Sequence, residues 1–105
     1  MSTTAGPEGV PRFLADTNCL VALLAPWHEH HERVLREMER RLDAGATLVV
    51  AAPTLMETYA VLTRLPAPHR LAPADCRALI EATITSDTVE VVVSYSVLGQ
   101  VVSGP

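Results

Sequence analysis

Three short apolar runs punctuate this chain: RFLA at 12–15, TLVVA at 47–51 and VEVVV at 89–93. Longer stretches with helical periodicity separate them. No other feature constrains the fold as tightly. Strands that alternate with helices pair in parallel, so the pattern predicts an α/β layer with a parallel sheet. The run at 47–51 has the β-branched apolar character of a strand buried on both faces.

The breakers divide the rest. Asn18 is placed to cap a helix running to about Ala25, and Pro26 ends it. From His28 to Ala44, Val34, Leu35, Met38 and Leu42 fall on one helical face. Glu32, Arg33, Arg36, Glu37, Glu39, Arg40 and Arg41 cover the other. Gly45 is the stop. Pro53 and Thr54 open a third helix that ends before Pro66, and 66–71 is a loop. Pro73 opens a fourth helix to about Ile84, with Cys76, Leu79, Ile80 and Thr83 inward. The expected count is three strands and four helices. Residues 1–11 read as a flexible leader and 12–93 as the domain. Residues 94–105, SYSVLGQVVSGP, form an atypical tail without a clear period.

Composition limits the function classes. With 105 residues, one domain is expected, and 49% apolar residues suffice for a core. The net charge is −4, and all eight cationic side chains are Arg. Such a balance lacks the broad basic footprint of general nucleic-acid binders, but leaves room for a local Arg patch or a metal-assisted site. No signal peptide is visible, and Cys19–Ala25 is too short an apolar run to span a bilayer. A cytoplasmic protein with no membrane association is expected. Cys19 and Cys76 read as reduced thiols, with a disulfide between them as the alternative.

The chemistry concentrates in FLADTNCLVALL, residues 13–24. Sites of open parallel sheets lie outside the carboxyl ends of the strands. Asp16 follows the first strand, and Glu57 lies one turn into the helix after the second. Both carboxylates are expected at one crevice, with Thr17 and Asn18 hydrogen-bonding Asp16 or a water. Such hard oxygen donors suit Mg²⁺ or Mn²⁺. Plainer readings stand beside this. Asp16-Thr17-Asn18 also reads as a turn rich in capping groups, and Thr54-Leu55-Met56-Glu57 also matches a capping box. The cluster His28, Glu29, His30, His31 and Glu32 lacks the two-His spacing of zinc-protease helices and reads as a solvated first turn. Trp27 is expected to pack at that corner. His69 lies on a loop with no partner evident.

The stretches FLADTNCLVALL, WHEHHERVLREMERRL and LVVAAPTLMETYAVLTRLP resemble the first two-thirds of a PIN domain. They are most like the VapC-like toxins of bacterial toxin–antitoxin pairs. The resemblance covers roughly residues 12–93. It implies an α/β, PIN-like three-layer αβα fold and a metal-dependent ribonuclease using Mg²⁺ or Mn²⁺. It also implies an RNA substrate, an antitoxin partner and a homodimer. Carried over, Asp16 is the first metal-binding acid, Glu57 the second, and Thr17 and Asn18 are supporting polar groups. The family pattern continues into a third acid on a later helix and a fourth after a further strand. Here no Asp or Glu follows Glu90, so the chain reads as C-terminally truncated, with the last strands and helices missing. Two alternatives follow: a catalytically inactive remnant that only binds a partner, and a small binding module whose two acids merely cap helices.

Overall fold

The computed structural model describes residues 2–5 and 11–93. The elements run β1 (Ser2–Ala5), β2 (Pro11–Leu14), α1 (Thr17–Leu24), α2 (His31–Asp43), β3 (Thr47–Ala51), α3 (Ala52–Arg64), α4 (Pro73–Ile84) and β4 (Val89–Val92). The three expected strands are β2, β3 and β4, and the four helices are those expected. The tail at 94–105 lies outside the described residues.

One strand was not expected. Residues 2–5 form β1, antiparallel to β2 with Ser2 opposite Leu14 and Ala5 opposite Pro11. An edge strand needs only backbone pairing on one side, so a Ser/Thr segment enters a sheet without the apolar run that marks a central strand. Of the rest of the expected leader, Pro11 opens β2, and residue 1 and residues 6–10 lie outside the described residues.

The sheet order is β1-β2-β3-β4, with β2, β3 and β4 parallel. Strands added successively in one direction through right-handed crossovers place both helix pairs on one face. Phe13, Ala15, Leu48 and Val50 form that face and pack against Leu20 of α1 and Met38 of α2. A second cluster, Val21, Ala25, Leu62 and Cys76, joins α1, α3 and α4. On the opposite face, Leu14, Val49, Ala51 and Val92 group together. Of the three layers implied by the resemblance, the described residues supply two: the sheet and one helical layer.

Several boundaries move for physical reasons. Asp16, not Asn18, caps α1: its backbone is extended and its side chain accepts the Cys19 N–H. Asn18 sits one position inside the helix. Helix α2 starts at His31 rather than His28, so His28 shares no helix face with His31 or Glu32. Gly45 takes φ +89°, the left-handed conformation a helix stop requires. Helix α3 starts at Ala52, directly off β3. That places Thr54 inside the helix and fully buried with Thr58 and Leu62, on the stripe facing its helical neighbours.

Candidate active site

Asp16 stands where β2 gives way to α1, and its Oδ1 accepts the Cys19 N–H at 2.8 Å. The capping reading of Asp16 is therefore correct, yet it occupies only one carboxylate oxygen. The side chain is exposed, so Oδ2 faces solvent chemistry.

Glu57 behaves otherwise. With α3 starting at Ala52, Glu57 lies too far into the helix to return to its cap, and the capping-box reading fails. Its Oε2 instead accepts the Thr17 hydroxyl at 2.8 Å, across 40 residues of sequence. Thr17 was expected to bond Asp16 or a water. It instead ties the first residue of α1 to α3, so Glu57 is drawn next to the residue that follows Asp16. Both acids reach the same edge, at the carboxyl ends of β2 and β3. Asn18, exposed in the first turn of α1, stands beside them.

The surroundings have a defined charge pattern. Burial pushes the Cys19 thiol up, and the Asp16 carboxylate pushes it further, with Arg41 opposing in part. Cys19 thus stays a neutral thiol beside the acids. Cys76 is raised by burial alone. Both cysteines are free, as expected, and belong to different clusters.

The donor set fits a hard, hydrated cation. Two carboxylates with accessible oxygens, beside a hydroxyl and an amide, suit Mg²⁺ or Mn²⁺, which keep several waters and need one or two protein carboxylates. Among the described residues, no group of three or more His, Cys, Asp and Glu is arranged to hold a metal. His31 Nδ1 donates to the Ala22 carbonyl at 2.8 Å and staples α2 to α1.

Residues 13–98 match the family model of the PIN domain. The chain belongs to the PIN-domain family. It is 49% identical over 71 residues to Ribonuclease VapC40 of Mycobacterium tuberculosis, covering 68% of this chain and 48% of that protein. To Ribonuclease VapC27 of the same species it is 37% identical over 70 residues, or 67% of this chain and 47% of that protein. The chain spans about half the length of these curated relatives. No solved structure gives a significant match. The α/β sheet and helix order described above are those expected from the PIN resemblance. Among the described residues, no helix is long and apolar enough to cross a membrane.

Two features escaped the sequence reading. Trp27 stacks on His69, with ring centroids 4.3 Å apart, giving the loop histidine a partner from 42 positions upstream. Arg33 and Arg36 line a groove beside Asn18. Their i, i+3 spacing was visible, but it reads equally as an ordinary solvated face.

Proposed function

We propose that this chain provides the Asp16–Glu57 half of a VapC-like ribonuclease site that depends on Mg²⁺ or Mn²⁺. We further propose that it serves as the toxin of a toxin–antitoxin pair, with RNA as substrate, a protein antitoxin as partner, and a homodimer as its assembly. The observation that carries this reading is the Thr17–Glu57 hydrogen bond, which draws acids from two separate elements to one sheet edge. When bound, such an ion supplies Lewis acidity and a water of lowered pKa. The chain's own groups hold the geometry. The Cys19 N–H orients Asp16 through Oδ1 and leaves Oδ2 available, while Thr17 orients Glu57 through Oε2 and leaves Oε1 available. Asn18 offers an exposed amide to a phosphate oxygen. Because the ion contributes the positive charge, a protein of net charge −4 still meets a polyanion.

Cleavage of a single-stranded oligoribonucleotide by the purified full chain tests the proposal. Mg²⁺ or Mn²⁺ should support cleavage and EDTA should stop it. Asp16→Asn and Glu57→Gln should each lower the rate by at least about 100-fold with unchanged far-UV circular dichroism. Cleavage insensitive to EDTA and to both substitutions overturns it. The two-acid donor set favours one second reading, a partner-binding module without cleavage. Antitoxin binding unaffected by EDTA, with no cleavage at any metal concentration, would establish that reading instead.

A further inference from the structure

A groove of about 830 Å³ runs between α1 and α2. Asn18 and Cys19 line it from α1, His28 and His30 from the connecting turn, and Arg33 and Arg36 from α2. One end therefore opens at Asn18, beside the acidic edge. The His31–Ala22 hydrogen bond and the packing of Met38 near Leu20 hold the two helices together.

The charges in this groove do not cancel. Glu37 is taken up by Arg40 at 2.6 Å and Arg41 at 2.8 Å, and Glu29 lies 3.4 Å from His30. Arg33 and Arg36 form no ion pair among the described residues and are exposed. One helical turn apart, they project from the same face of α2. At the turn, rings accumulate. His28 and His30, both in the groove lining, have centroids 5.5 Å apart, while Trp27, 6.0 Å from His28, lies outside the lining and stacks on His69. Imidazole rings, half-buried at His28 and exposed at His30, beside unpaired guanidiniums match what a single strand presents, flat base faces alternating with phosphates.

We propose that this groove carries a single-stranded RNA segment to the acidic edge. Arg33 and Arg36 meet its phosphates, and His28 and His30 stack on its unpaired bases. The direction of travel rests on the nuclease reading of Asp16 and Glu57; the binding itself does not.

The test is fluorescence anisotropy of a labelled mixed-sequence oligoribonucleotide with the full chain in EDTA, titrated with salt. Arg33→Ala with Arg36→Ala should weaken binding about tenfold and flatten the dependence of log K on log[salt] by about 1.4, or 0.7 per phosphate contact. Arg33→Lys with Arg36→Lys should retain the slope. His30→Ala, compared with the parent at pH 8, should weaken binding roughly fivefold or more without changing the slope. Unchanged affinity and slope in the double Ala variant overturn the proposal and leave the groove to a protein partner. Equally tight binding of duplex RNA overturns the stacking role. Arg-dependent binding without metal-supported cleavage sustains the groove and sinks the nuclease reading. Cleavage with a KM indifferent to both arginines does the reverse.

Discussion

At Asp16, two roles fall on different oxygens of one carboxylate. Oδ1 completes the first turn of α1, and Oδ2 remains for the site. In the proposed site Thr17 links the two acids, because its hydroxyl donates to Glu57 and so ties α1 to α3. Thr17→Val removes that orienting bond while keeping shape. It should weaken Mn²⁺ binding by about 10–100-fold, read by titration calorimetry, with Thr17→Ser close to the parent. Glu37 carries a different prediction. Hydrogen bonds from Arg40 and Arg41 hold its carboxyl down at about 2, against an ordinary 4.5. A folded-state value below the unfolded one means that the unfolded chain binds more protons between those values. The stabilisation is therefore full above about pH 4.5 and lost as the pH falls toward 2. Glu37→Gln should flatten the acid limb of a melting-temperature profile over that window and leave the neutral region little changed.

At the scale of elements, turn chemistry decides where each helix stops and starts. Gly45 ends α2 at φ +89°, and a Cβ there would meet no atom within 4 Å. Gly45→Ala should therefore cost about 1–2 kcal/mol through backbone strain alone, read by urea denaturation, with no loss at the acidic edge. The α2 face does more than shield the core. Arg41, drawn in by Glu37, lies 5.3 Å from the Phe13 ring centroid, so part of the polar face reaches the buried strand β2. Helix α3 illustrates a local signal overruled. Thr54 was a plausible cap in sequence, but Ala51 passes from strand to helix without a loop, and Thr54 and Thr58 become buried helical positions. The Thr58 hydroxyl is satisfied by the Thr54 carbonyl at 2.8 Å.

Across the whole molecule, an ion pair between Arg12 and Glu90 joins β2 to β4 over the intervening strand β3. The register places both side chains on the face of Val49, away from the helices. Arg12 is 5% exposed, so its guanidinium depends on protein partners more than on water. Glu90→Gln should lower stability by about 1–2 kcal/mol in urea denaturation. Val91 within β4 and Val93 just after it remain exposed at the sheet edge among the described residues, an unpaired apolar edge of the kind that invites strand addition.

The sequence by itself determined the order of elements, the parallel pairing of β2, β3 and β4, and the two acids at the carboxyl ends of successive strands. Those features follow from local rules: apolar periodicity, proline and glycine breakers, and the constraint that strands alternating with helices pair in parallel. It did not determine β1, whose pairing depends on backbone hydrogen bonds that leave no side-chain pattern. Nor did it determine which carboxylate Thr17 would bond, which ring His69 would meet, or that Arg33 and Arg36 would face a groove. Each of these joins residues from different elements, and the direction of a side chain there is set by how helices pack on the sheet rather than by neighbours in the chain. Tertiary packing alone decided that Glu57 serves the edge near Asp16 and not the cap of its own helix.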